Sequence, residues 1–179
     1  NQDIVLVSIT EECLAELGPW PWSRAMHGRL LAALKSAGAK VAAFDILFNE
    51  QSLLGEEDDA EFAAQMKNFG RVVLPQVVNR RTFLDPETFE FREEVVCERA
   101  VPTLLGVNPY QGFIDLEYKV LNPDGVIRKL LLHKSGSDFI SHIFGVAAAS
   151  AYLGVTPSIE PSGMRIGDRL LPFFDCYEP

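Results

Sequence analysis

Ile4-Val5-Leu6-Val7-Ser8-Ile9 and Val41-Ala42-Ala43-Phe44-Asp45-Ile46-Leu47-Phe48 are two nearly unbroken apolar runs on either side of a helical pattern. A continuous run of this kind reads as a strand covered on both faces. Between them Met26, Leu30, Leu31, Leu34 and Ala37 recur at helical spacing, with Ser23 placed as N-cap and Gly38 as C-cap. Strand, helix, strand makes a βαβ unit, whose strands run parallel and whose crossover is right-handed. The expected fold is therefore α/β, a single layered domain over residues 1–179 with a mixed central sheet built on this unit.

Outward from that unit, Glu11 to Leu17 reads as a short helix with acids at its N-terminal end, stopped by Gly18. Pro19-Trp20-Pro21-Trp22 follows. It reads as a rigid corner whose indoles cap the sheet edge, or as an aromatic wall for a ligand. Six acids and no base lie between Phe48 and Phe62 (Glu50, Glu56, Glu57, Asp58, Asp59, Glu61), without the order of a calcium loop. They read as a solvated loop running into a helix that starts at Asp58 or Asp59 and ends at Gly70, with Phe62, Ala63, Met66 and Phe69 inward.

Val72-Val73-Leu74 reads as a third strand stopped by Pro75. Residues 76–108 are the least patterned part, a variable insertion read either as a hairpin built on Asp85-Pro86 or as a ligand-facing loop. Gly112 to Val120 and Val126 to His133 are expected to form an antiparallel hairpin on the Pro123-Asp124-Gly125 turn. A buried helix capped by Ser137 or Asp138 should run to Leu153. A last short hairpin pairs Arg165-Ile166-Gly167 with Leu170 to Phe174.

The formal net charge of -9 argues against nucleic acid, whose phosphates need basic patches. Three cysteines, Cys13, Cys97 and Cys176, without a close pair, exclude a disulfide scaffold and a zinc ribbon. No apolar stretch convincingly spans a bilayer, and the abrupt start and finish suggest a fragment of a longer protein.

Thr10-Glu11-Glu12, at the first strand–helix turn, lacks the glycines of a dinucleotide fingerprint or P-loop, and its acids would repel a phosphate. No G-x-S-x-G elbow exists. His27, His133 and His142 stand too far apart for paired metal ligands on one helix and read as structural or surface histidines. No catalytic residue, metal site or cofactor is expected.

Asp45 is the exception to the apolar pattern. An acid inside such a strand must be paired, or must lie at the strand's carboxyl end where parallel sheets bind ligands. Arg24 and His27, on the first turns of the crossover helix, are its candidate partners. Arg128 is read as pairing with Asp115 across the hairpin in preference to meeting a ligand.

Several segments, in order, resemble the CHASE domain of the second type. They are Ile4 to Ile9 with Glu11-Glu12 and Leu14; Leu17-Gly18-Pro19-Trp20-Pro21-Trp22-Ser23-Arg24 with His27; Ala37-Gly38-Ala39-Lys40-Val41; and Phe44-Asp45-Ile46-Leu47-Phe48. Asp59-Ala60, Val72-Val73-Leu74-Pro75, Gly112-Phe113-Ile114-Asp115, Pro123 to Arg128 and Ala148 to Gly154 continue the match. Thr10 stands where the family pattern has an acid, and Asp115 where asparagine is common. The resemblance implies an extracytoplasmic sensory domain of a membrane-anchored bacterial receptor with a cytoplasmic cyclase or kinase output.

The expectation is then a domain that binds an unknown small molecule through Arg24, His27, Asp45 and Arg128, with Trp20 and Trp22 as walls. The rivals are a structural module that holds the receptor as a homodimer, and a small α/β enzyme such as a hydrolase.

Overall fold

The computed structural model describes residues 3–115, 126–127, 130–136 and 139–173. It is an α/β domain with a mixed sheet, as expected. Helix α1 (Glu11–Leu17) leads through the tryptophan corner, whose Trp20–Pro21 peptide is cis, to α2 (Arg24–Ser36) and the short strand β1 (Ala42–Ala43). Helix α3 (Glu56–Phe69) crosses back to β2 (Val72–Leu84), which turns into β3 (Phe91–Glu98). A single-turn helix α4 (Pro102–Leu105) precedes β4 (Tyr110–Phe113). Then follow β5 (His133–Ser135), β6 (Ile140–His142), α5 (Phe144–Leu153), and the meander β7 (Ser158–Glu160), β8 (Gly163–Ile166), β9 (Arg169–Pro172).

The βαβ unit is present but is built one element later than the sequence suggests. Strand β1 pairs in parallel with β2 (Ala42↔Val72, Ala43↔Val73) across the crossover helix α3. The Ile4–Ile9 run is not a strand: it has no regular structure, and Ile4, Val5 and Leu6 are 75%, 80% and 87% exposed. Its composition favours a strand, but among the described residues no neighbouring strand receives it.

Strand β2 does not stop at Pro75. It continues to Leu84 and takes β4 in parallel on one side (Val73↔Tyr110 to Gln76↔Phe113) and β3 antiparallel further on (Val77↔Glu98 to Leu84↔Phe91). Proline is tolerated because of where it falls. Val73 accepts from Phe44 on the β1 side and Gln76 from Ile114 on the β4 side. By alternation, Pro75's missing N–H lies on the β1 side, just where β1 leaves the ladder.

Residues 76–108 thus contain a hairpin, the first of the two readings. Its turn is organised by Asp85, whose carboxylate accepts from the Glu87 and Thr88 amides at 2.8 and 3.2 Å. The Gly112–Val120 reading is corrected at its start, because Tyr110–Phe113 joins β2 in parallel. His133–Ser135 pairs with Ile140–His142. The turn at Pro123–Gly125 and Arg128 lie outside the described residues. The late helix is not capped by Ser137 or Asp138: it starts at Phe144 with Ile143 as its N-cap, because Ile140–His142 is taken up as a strand.

Two layers of helix enclose the sheet. One core joins Leu31, Phe44, Phe48, Phe62, Met66, Val72, Leu74 and Leu104 under α2 and α3. On the other face α5 packs Ala147 and Ala151 against Val73. That approach is close enough to demand glycine: a Cβ at Gly112 would sit 2.6 Å from the Phe144 Cα. Beyond α5, Val146 meets Met164 and Ile166 of the terminal meander.

Candidate functional site

The expected site residues divide between two places. Arg24, His27, Trp20 and Trp22 gather where α2 and α3 begin. Ser23 caps α2, its hydroxyl accepting from the Met26 amide at 3.4 Å. Two further amides of that turn, Arg24 and Ala25, are capped from another helix, donating to the Asp58 carboxylate at 2.7 and 2.9 Å. The helix dipole and the two orphan donors both favour a carboxylate there.

Asp59 completes the clasp. Its carboxylate pairs with the Arg24 Nε at 2.9 Å and accepts from the Ser52 amide at 3.0 Å, at 1% exposure. Arg24 also donates to the Glu50 carbonyl at 2.7 Å and lies 4.5 Å above the Phe48 ring. Two acids expected at the junction of a solvated loop and a helix start are therefore buried. Burial alone would raise the Asp58 pKa. Hydrogen bonds from Ser52, Ala25 and Arg24, with the Arg24 charge, outweigh it and hold the carboxyl below its ordinary value.

His27 sits inside this clasp, 3% exposed, ringed by Trp20, Phe44, Phe48 and Phe62 at centroid distances of 5.7, 6.1, 5.4 and 5.9 Å. Its Nε2 has no hydrogen-bond partner. Burial, reinforced by the Arg24 charge, pushes its pKa down to about 4, so the imidazole is neutral near pH 7. Trp22 donates from Nε1 to the Gly18 carbonyl at 2.9 Å, and Trp20 stacks beside it, 43% exposed. The corner is braced by its own Trp22–Gly18 hydrogen bond, and Trp20 lies against His27.

Asp45 lies elsewhere. It follows the carboxyl end of β1, is exposed, and makes no hydrogen bond or ion pair among the described residues. Neither Arg24 nor His27 is its partner. It borders an open cleft of about 440 Å³ whose other walls are Phe113 and Ile114 after β4, Leu130, and Ile143, Phe144 and Gly145 at the start of α5. Phe113 and Ile143 are joined by a parallel bridge, which fixes the mouth of α5 against β4.

Behind Phe113, Lys134 forms an ion pair with Asp115 and donates to the Val78 carbonyl at 3.1 Å. Asp115 also accepts from the Val78 amide at 3.0 Å. The partner expected for Asp115, Arg128, is outside the described residues.

Sequence reasoning missed the rest of the cleft. The rule that parallel strands present ligands at their carboxyl ends located Asp45. It could not locate Phe113 and Ile114, because the run after Gly112 reads as a hairpin strand and its parallel partner lies 37 residues back. No group of three or more His, Cys, Asp or Glu side chains among the described residues could hold a metal ion. No helix among them is long and apolar enough to cross a membrane.

The described residues thus form a mixed α/β sheet with an apolar cleft bordered by Asp45. The family model of the CHASE2 domain matches residues 1–175, nearly the whole chain. The chain belongs to the CHASE2 family, a non-catalytic family of extracellular sensory domains from signalling receptors. No curated protein and no solved structure gives a match.

Proposed function

We propose that this chain is the ligand-binding sensory domain of a membrane-anchored bacterial receptor, and that its ligand occupies the cleft beside Asp45. The receptor's output would be a cytoplasmic cyclase or kinase. The observation that carries this reading is an unpaired carboxylate at the rim of an apolar cleft, placed where two parallel strands, β1 and β4, end. The cleft falls within the roughly 300–1,000 Å³ typical of small-molecule sites. Its chemistry suits a small organic molecule with an apolar body and a cationic or hydrogen-bond-donating group. Signalling follows if that molecule binds two arrangements of α5 against β4 with different affinity.

In this reading Asp45 meets the ligand, while Arg24 and His27, engaged by the clasp, keep the frame. The experiment is a thermal-shift screen of the chain against amines, amino acids, nucleotides, organic acids and sugars, repeated with Asp45→Asn. A saturating ligand should raise the melting temperature of the native sequence by about 3 °C or more through mass action. Asp45→Asn should keep its own melting temperature and lose that rise. An equal shift in both proteins would remove Asp45 from the site.

A further inference from the structure

Spacing along the chain separates the three histidines, but strand pairing brings two of them together. His133 and His142 are directly opposite across the antiparallel pair β5–β6. The neighbouring bonds fix the kind of pair they form. The Ile143 amide donates to the Leu132 carbonyl at 3.0 Å, and the Gly136 amide to the Phe139 carbonyl at 2.9 Å. Hydrogen-bonded and non-hydrogen-bonded pairs alternate along such a ladder, so His133–His142 is a non-hydrogen-bonded pair. Side chains come closest in pairs of that kind, on one face, with Cβ atoms about 4.5–5.5 Å apart.

Neither imidazole is committed elsewhere. Neither forms a hydrogen bond or ion pair among the described residues, and the ring nitrogens are not sealed from solvent. Both side chains are half-buried, and the His133 ring lies 5.9 Å from the Phe173 ring. The two are near enough that the charge of His133 is felt at His142. The other face of the hairpin is already spent, because Lys134 pairs with Asp115 and Ser141 accepts from Gln76. His142 also lines a cavity of about 130 Å³ whose walls include Tyr110, Ser150 and Thr156.

We propose that His133 and His142 together bind a divalent transition-metal ion of the zinc class, through one imidazole nitrogen each. Imidazole is the commonest protein ligand of such ions, whereas calcium and magnesium take oxygen. Two nitrogens about 2.0–2.1 Å from the ion fill half of a tetrahedral shell. The other half is open to water or to a ligand seated in the cavity beside His142. This is an open two-ligand site, unlike the clusters of three or more ligands that the described residues lack. The ion clamps β5 to β6 immediately before Ile143, which is both the N-cap of α5 and a wall of the Asp45 cleft.

The test is titration calorimetry of the 179-residue chain with zinc chloride, and with calcium chloride as the control. Zinc should bind saturably, a single ion per chain, and calcium should not. His133→Ala and His142→Ala should each weaken zinc binding about a hundredfold, at the upper end of the cost of losing one supporting contact to a metal site. Their circular dichroism spectra should stay unchanged. His27→Phe, and a chain with Cys13, Cys97 and Cys176 replaced by serine, should bind zinc as the native chain does. NMR of the native chain covers the case of a variant that fails to fold: zinc should shift the imidazole signals of His133 and His142 together and leave those of His27 in place. No zinc uptake at millimolar concentration would overturn the proposal. So would uptake indifferent to either alanine variant, uptake abolished by the serine replacements, or a shift confined to one of the two rings.

Discussion

The clasp at the start of α2 and the cleft at the start of α5 use the same element, a helix N-terminus, in opposite ways. In the clasp the helix-end amides and the charges are met: Asp58 takes two amides of α2, Asp59 takes the Arg24 guanidinium, and aromatic rings surround His27, whose Nε2 alone among the clasp groups has no partner among the described residues. In the cleft α5 begins after Ile143 with no side-chain cap, and the nearby acid, Asp45, has no pair among the described residues. The difference separates rigidity from responsiveness. A buried network of paired charges and capped amides specifies one arrangement, whereas an open end leaves interactions for something else to complete.

The largest effect is expected at Asp59. Asp59→Ala leaves the Arg24 guanidinium, 12% exposed at its side chain, without its carboxylate. Chemical denaturation should show a loss of about 3–5 kcal/mol, the cost of an uncompensated buried charge. A loss below 1 kcal/mol would mean that the clasp is ornament.

On the cleft side the largest effect is expected at Gly112. A methyl group there runs into the Phe144 backbone rather than a side-chain tip, so Gly112→Ala should cost about 3 kcal/mol and splay α5 from β4. A variant as stable as the parent would show that α5 already moves freely over β4.

The third test is pH. His27 binds a proton readily when unfolded, near its ordinary value of 6.5, but only around pH 4 when folded. Where the unfolded chain binds more protons, stability rises with pH. The domain should therefore lose stability as pH falls from about 6.5 toward 4, by about 2 kcal/mol after allowance for solvent screening. Burial also lowers the His142 pKa, adding a smaller slope of the same sign. His27→Phe should fold and flatten most of that slope; an unchanged slope would place the titrating group elsewhere. The smallest effect belongs to Asp45→Asn, within about 0.5 kcal/mol of the parent, as for an exposed side chain without partners. A large loss there would make Asp45 part of the frame.

What the sequence disclosed was local. The N-cap at Ser23, the ends of α1 and α3 at Gly18 and Gly70, and the αL turn at Gly154 all follow from residues within a few positions of one another. What it withheld was long-range. Asp58 and Arg24 are 34 residues apart, and an acidic run looks the same whether water or a helix end receives it. The site was half legible for the same reason: Asp45 interrupts an apolar strand and stands out, while Phe113 and Ile114 are ordinary apolar residues until β4 is known to lie parallel to β2. The Ile4–Ile9 pattern gave the character of a strand but not the address of its partner.

Strand β2 belongs to both regions. Its first residues lie over the core beneath α2 and α3, its middle anchors the cleft through Gln76 to Ile114 and Val78 to Asp115, and its end carries the β3 hairpin. Thirteen residues of strand make a beam about 43 Å long. In mechanical terms the cleft would serve as a fulcrum if a ligand bound there. A tilt of α5 or β4 of a few degrees there would be magnified along a stiff arm, so the exposed Phe89 and Phe91 at the far turn would travel several times farther than the groups that set them moving.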